Sequence, residues 1–129
     1  MSATDRRSLA AVFAGGVAGA LTRTGLVEAF PPHPGHWPWV TFGVNVVGAF
    51  VLGLLAARMA HDDVRRLLAG TGFCSALTTF STVQIELLDM LDQDRLGLAA
   101  GYVAASLAAG LLAVAVATRI AAPREEATA

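Results

Sequence analysis

The chain has 129 residues, of which 55% are hydrophobic and 15% charged, and its formal net charge is −1. This length allows one domain, placed at residues 1–129, and the lack of lysine or of any basic run excludes a nucleic-acid partner gripped by positive charge. A membrane-spanning helix needs about 20 mostly apolar residues, and four such runs fill most of the chain. We therefore predict an all-α membrane protein with four transmembrane helices embedded in a lipid bilayer.

The four predicted spans follow one another with short polar links between them. They cover residues 9–26, 39–59, 67–91 and 96–122. The first link is rich in proline, which cannot continue a helix, and Trp37 and Trp39 beside the second span indicate an interfacial aromatic belt. All three histidines, His33, His36 and His61, fall in links, where we expect solvated loop residues.

The arginines predict the orientation of the chain in the membrane. Four spans place both termini and the second link on one side, which holds seven arginines, whereas the opposite side holds only Arg23 and Arg95. Because positive charge is enriched on the cytoplasmic side of membrane proteins, we expect both termini to be cytoplasmic.

Small residues in the spans predict close contacts between helices. Gly15 and Gly19 have G-x-x-x-G spacing in the first span, and glycine and alanine recur in the second and fourth. Between helices in lipid, small residues let the backbones approach and pack. Four short helices enclose little interior, so a transport function would require an oligomer.

The third span is unusually polar, with several hydroxyl side chains within residues 71–82. One interpretation is an opened turn near residues 75–79, whose freed carbonyl oxygens would suit a cation such as Na⁺. The other is a continuous helix whose hydroxyls bond carbonyls four residues earlier. The residue pattern leaves both interpretations open.

Other polar or aromatic side chains within the spans are candidates for function. Asn45 lies in an apolar stretch and must find hydrogen-bond partners. Glu86 lies either near the midplane or at the interface, and Arg23 either anchors the first span or pairs with another group. The electropositive ring edge of Phe80 can face an anion. No nucleophile–base pair, carboxylate pair at depth or phosphate-binding loop occurs, so we predict that the chain is not an enzyme.

Three segments resemble motifs of the Fluc (CrcB) fluoride channel family. Residues 15–23 are similar to its first-helix motif G-G-x-x-G-A-x-x-R. Residues 44–50 with Gly53 resemble V-N-x-x-G-[ST]-F-x-x-G, and residues 72–82 resemble G-F-[CL]-G-x-[LF]-T-T-F-S-T. The motifs occur in the family's order on the first three spans, and the resemblance extends over all four.

The resemblance implies an antiparallel dimer with a third helix broken near its middle and two pores, one along each side of the interface. Backbone carbonyls at Ser75 and Thr78 would hold a structural Na⁺ that is not transported. The implied pore residues are Asn45, Phe80, Thr79, Ser81, Tyr102 and Ser106, with Arg23 and Glu86 as further candidates. The implied activity is passive export of fluoride across the plasma membrane of a prokaryote, which confers fluoride resistance.

The sequence departs from the family pattern at several positions. The second pore phenylalanine is replaced by Val83, the glycine at the break by Ser75, and the polar run on the fourth helix ends with Gly110 and Val114. The arginine bias also differs from the balanced flanks expected of a chain that inserts in both orientations. The second subunit is therefore either identical or homologous, and in the latter case one of the two pores would be degraded or this chain would only complete another chain's pore.

A small multidrug transporter is an alternative of another class, because such proteins also have four helices of this length. They need a membrane-embedded acid in the first helix, however, and residues 9–26 contain none.

Overall fold

The computed structural model describes residues 1–31, 33–78 and 80–122, and within these ranges the chain is helical without strands. The elements are α1 (Ala3–Ala29), α2 (Trp39–Arg58), α3 (Val64–Arg66), a π-helix (Leu67–Cys74), α4 (Ser75–Leu77), α5 (Phe80–Asp92) and α6 (Leu96–Ala121). Among the described residues, α1, α2 and α6 are long and apolar enough to cross a membrane. Residues 64–92, called the broken segment below, occupy the place of the third predicted span. The helical content of the described residues confirms the predicted all-α class.

The first helix begins earlier than the predicted span 9–26. The Asp5 backbone N–H donates to Ser2 Oγ at 3.2 Å, and the Ser2 N–H donates to Asp5 Oδ2 at 3.1 Å. These two bonds form a capping box that satisfies backbone donors at the helix start. The polar first turn therefore extends α1 beyond the apolar run on which the prediction was based.

The broken segment departs from α-helical geometry twice. The Ser75 backbone N–H bonds the Gly70 carbonyl five residues earlier, as expected for a π-helix. Helix α4 then ends at Leu77, and the next residue, Thr78, has an extended backbone with a ψ of 138°. The Cys74 carbonyl accepts both the Thr78 N–H at 2.9 Å and the Thr78 hydroxyl at 2.8 Å. The segment is therefore interrupted before Phe80, and the continuous-helix interpretation is wrong.

Glycines bring α1 and the π-helix into backbone contact. A Cβ built at Gly72 would lie 2.6 Å from the Val12 carbonyl oxygen and 3.0 Å from the Gly15 Cα. A Cβ at Gly15 would lie 2.9 Å from the Phe73 backbone nitrogen. Only glycine fits at such a crossing, so the small-residue spacing of the first span marks the surface on which the broken segment is held.

The first link and the turn between α5 and α6 meet at the same end of the molecule. Gly35, with a φ of +78°, packs against the Gln93 side chain so closely that a Cβ would lie 2.9 Å from its Cδ. The C-terminus of α5 has a Schellman motif, in which the Arg95 N–H bonds the Met90 carbonyl at 2.9 Å and Asp94 adopts a φ of 57°. These contacts fix the link over the end of α5.

Candidate functional site

A buried carboxylate joins three helices near the first link. Glu86 of α5 is 8% exposed. Thr41 of α2 donates a hydrogen bond to its Oε1 at 2.5 Å, and the hydroxyl of Tyr102 of α6 donates to its Oε2 at 2.8 Å. Both carboxylate oxygens are therefore held by uncharged donors, and the side chain has a fixed position. Glu86 and Tyr102 are sequence candidates, whereas Thr41 is not, because a hydroxyl in the first turn of an apolar helix carries no distinctive signal.

A cavity of about 470 Å³, called the inner cavity, lies beside the break. Its lining is mainly apolar but includes Asn45 and Ser106, and Phe80 lies at its rim with 75% of the residue exposed. Asn45 Oδ1 and Ser106 Oγ are buried without a hydrogen-bond partner among the described residues. Because buried polar atoms normally have partners, these two indicate a site for a polar guest. Val83 lines the same cavity.

A second cavity of about 440 Å³, called the outer cavity, lies under the first link and is lined by Thr41, Thr82 and Glu86 among others. A third cavity of about 10 Å³, called the constriction, is also lined by Thr41 and Thr82, and it shares Asn45 with the inner cavity. Its volume corresponds to about one water molecule. Neighbouring cavities thus share lining residues, and this row of three cavities, with the constriction between the two larger ones, is called the path below.

The remaining sequence candidates are Arg23, Ser75, Ser81 and Thr79, and of these Arg23 lines one of the cavities described. Arg23 lines the constriction, and its Nε donates to the Ala76 carbonyl oxygen of the broken segment at 3.1 Å. Ser75 is exposed, and its Oγ donates to the Gly70 carbonyl at 3.3 Å. Ser81 is exposed next to Phe80 on α5. Thr79 lies outside the described residues.

The structure thus divides the candidates into groups. Asn45, Thr78, Phe80 and Ser106 line the inner cavity, and Glu86 with Tyr102 forms the buried cluster beside the outer cavity. Among the described residues, no group of three or more histidine, cysteine, aspartate or glutamate side chains could hold a metal ion. A cation at the break would therefore depend on backbone and hydroxyl oxygens.

The long apolar helices α1, α2 and α6 define a polytopic membrane protein, and a few polar side chains lie along the row of cavities between its helices. Residues 10–118 match the model of the CrcB-like protein, Camphor Resistance (CrcB) family. The chain is 52% identical over 124 residues to the fluoride-specific ion channel FluC 1 of Mycolicibacterium paratuberculosis, which covers 93% of this chain and 94% of that relative. The chain belongs to the CrcB-like family.

More distant relatives carry the same description. The fluoride-specific ion channel FluC 1 of Yersinia pestis is 41% identical over 108 residues, which are 81% of this chain and 85% of that relative. The fluoride-specific ion channel FluC 1 of Halobacterium salinarum is 42% identical over 106 residues, which are 82% of this chain and 87% of that relative. The family is one of ion channels, which confirms the resemblance and the prediction that the chain is not an enzyme, and it favours a channel over a small multidrug transporter.

Proposed function

We propose that this chain is a subunit of a fluoride-selective channel that exports fluoride passively from the cytoplasm and so lowers its toxicity. The observation that carries the proposal is the inner cavity, where the buried Asn45 Oδ1 and Ser106 Oγ have no hydrogen-bond partner within the geometric limits among the described residues, and which Phe80 also lines. Fluoride is small and tightly hydrated, so a narrow pore must replace its water by other donors. The names of the relatives support fluoride as the ion.

The chemistry of the inner cavity suits an anion. A serine hydroxyl rotates to donate, and an asparagine amide carries two N–H donors on a group that can be turned to face either way. The edge of the Phe80 ring is electropositive and attracts an anion without a formal charge to hold it. These groups solvate fluoride weakly enough for it to leave again, as conduction requires.

The constriction adds positive charge to the same route. The Arg23 guanidinium lies there with only its Nε committed to the Ala76 carbonyl among the hydrogen bonds described. The nearby Glu86 carboxylate is shielded by its two hydroxyl donors. The balance favours passage of a small anion between the inner and the outer cavity.

We further propose that the chain works with a second subunit, identical or homologous, in antiparallel orientation. The polar side chains exposed on the broken segment support this. They are Thr71, Ser75, Ser81 and Gln84. Exposed polar groups at membrane depth are costly in lipid, and the ring of Phe80 is exposed on the same segment. A partner surface would cover them and close the open side of the inner cavity.

A structural Na⁺, not transported, would lie at the centre of that dimer. Thr78 has an extended backbone where α4 ends, and the carbonyl oxygens of Ser75 and Thr78 would be hard ligands, which suit Na⁺. Two oxygens do not complete a coordination shell, whereas a twofold-related copy would add the same pair. The expected result is that replacing Na⁺ by a large organic cation weakens the dimer without any Na⁺ flux being seen. A dimer that is equally stable in both salts would contradict this site.

Fluoride efflux from liposomes, followed with a fluoride electrode, tests the main proposal. The chain should release fluoride faster than chloride, and Phe80→Leu should slow the release by about tenfold, the cost of about 1.4 kcal/mol at the barrier. Phe13→Leu is the matched control, because Phe13 is also 75% exposed but lies on α1 away from the cavities. Equal effects of the two substitutions, or no fluoride release in any lipid with or without a partner chain, would overturn the proposal.

The second candidate is a heterodimer in which one pore is degraded. Val83 and Gly110 line the inner cavity and give it neither a second ring nor a polar group, and Val114 continues the same helix without one. With the arginine bias, this supports a chain of fixed topology that pairs with an oppositely inserted homologue. Co-expression with that homologue should then be needed for full flux, and robust fluoride release from the lone chain refutes it.

We place the protein in the plasma membrane of a prokaryote with both termini in the cytoplasm. The support is the excess of arginine at the termini and the second link. A fluorescent reporter that matures only in the cytoplasm, fused to each terminus in turn, should light up in both fusions, and a dark fusion that is expressed at a normal level would contradict this topology.

A further inference from the structure

The link between α1 and α2 carries two histidines at the outer end of the path. His33 and His36 line the outer cavity and also a neighbouring cavity of about 110 Å³. Glu86 and Thr82 line both of these cavities as well. Both histidines are exposed, as expected for loop residues, and they lie at the mouth of the path, before the buried carboxylate and the constriction.

The structure holds these two rings in place. The His36 backbone N–H donates to the His33 backbone carbonyl oxygen at 3.1 Å. The two imidazole rings meet edge to face with their centroids 6.2 Å apart. Between them Gly35 is fixed against Gln93. Directly after them the Trp37 ring packs edge to face on Tyr102, with centroids 5.4 Å apart. The segment that carries His33 and His36 is therefore anchored to the C-terminal end of α5 and to α6.

The charges that face the two rings are negative or neutral. Helix α5 contributes Glu86 and Asp89 to the cavity linings, and the titratable Tyr102 of α6 lies under Trp37. The residues that α1 and α2 contribute to these linings are uncharged. When both imidazoles are neutral, the mouth carries only carboxylate charge, which repels an anion. Protonation of both rings would add two positive charges, of the sign that attracts an anion, and histidine is the usual side chain of pH-dependent switches.

We propose that His33 and His36 form an anion-collecting site at the mouth of the path. The protonated rings donate N–H groups to a small hydrated anion and raise its concentration in front of the constriction. This inference rests on the proposed function, because the anion it collects is the permeant one. One unit charge about 4 Å from the ion in water is worth roughly fivefold in local concentration, so flux should rise on acidification by roughly that factor for each ring protonated, and high salt should screen the effect.

The test uses the full chain in liposomes of uncharged lipid, at about pH 6 and about pH 8 on both sides, a range over which histidine changes charge. Fluoride release is measured for the wild type, for H33Q/H36Q and for H61Q. His61 is a matched control because it is an exposed histidine in the link between α2 and α3, away from these cavities. Protein-free liposomes measure the leak of undissociated acid, which is subtracted.

The wild type and H61Q should both be faster at the lower pH, and H33Q/H36Q should keep the slow rate at both. A double variant that retains the wild-type ratio of the two rates overturns the inference while leaving the proposed function intact. No protein-dependent fluoride release at either pH overturns the proposed function and this inference with it. If the double variant is inactive throughout, H33Q and H36Q singly decide the matter, since each must reduce the ratio.

Discussion

The crossing of α1 and the π-helix predicts that Gly15→Ala destabilises the protein while Gly16→Ala does not. At Gly15 a Cβ would lie 2.9 Å from the Phe73 backbone nitrogen and 3.0 Å from the Leu68 carbonyl carbon. At Gly16 the nearest atom is the Gly72 carbonyl oxygen at 4.0 Å, an ordinary contact. Because the crowded atoms at Gly15 belong to backbone, the two helices must separate to admit the methyl group.

The magnitude follows from comparing the two variants. Overpacking costs about 1–3 kcal/mol, whereas replacing glycine by alanine in a helix gains up to about 1 kcal/mol from helix propensity. The propensity gain is common to both substitutions and cancels in the comparison. The free energy of unfolding of Gly15→Ala should therefore be about 1–3 kcal/mol below that of Gly16→Ala, a factor of about 5 to 150 in the ratio of folded to unfolded protein.

Unfolding of the purified protein in mixed micelles of increasing denaturing detergent measures this difference, with helix content as the signal. The displaced π-helix should also carry Ala76 away from Arg23, so fluoride release should fall in Gly15→Ala alone. If Gly15→Ala and Gly16→Ala unfold at the same detergent fraction, the close crossing does not contribute as the distances require, and the reasoning fails.

Three further predictions concern single hydrogen-bonding groups. Tyr102→Phe removes one donor from Glu86 but keeps the ring, so we expect a loss of about 1–3 kcal/mol in unfolding free energy; an unchanged value would contradict the cluster. Arg23→Lys keeps the charge but loses the planar donor, so fluoride release should slow severalfold, and wild-type release would show that charge alone suffices. Hydrogen bonds from Arg65 lower the pKa of Asp63, so this carboxylate stabilises the fold at neutral pH and loses that effect as the pH falls through the lowered pKa. The melting temperature of Asp63→Asn should therefore be lower than that of the wild type at neutral pH and equal to it in strong acid. A difference in melting temperature that does not depend on pH would refute the ion pair.

Most of the fold could be predicted from the sequence because lipid imposes a simple rule. Apolar runs of sufficient length become spans; α2 and α6 begin where the second and fourth predicted spans begin, whereas α1 extends beyond both ends of the first. The first turn of α1 was missed because Ser2 and Asp5 are polar and lie outside the apolar run, although their spacing is that of a capping box. The sequence alone did not decide whether the third span is broken, since the same hydroxyls can either support a helix or interrupt it.

The site was harder to predict because it depends on contacts between helices. Asn45 and Glu86 are recognisable as polar residues in apolar surroundings, but nothing in the sequence says that Thr41 reaches one carboxylate oxygen and Tyr102 the other. The position of His33 over the outer cavity depends on Gly35 packing against a turn almost sixty residues away in the chain. Such placements follow from tertiary packing, on which local sequence patterns are silent.

The π-helix also sets the rotation, around the helix axis, of the residues that follow it in the broken segment. A helix advances about 100° per residue, and a turn closed over five residues instead of four holds one residue more than an α-helical turn. Removing a single residue from 67–74 would let the turn close as an ordinary α-helix and would rotate the chain beyond it by about that angle. Thr78 and Phe80 would then leave the side of the inner cavity while every span kept its length and hydrophobicity. The direction in which the ring of Phe80 points is thus set by one surplus residue, held in place where Gly72 crosses α1.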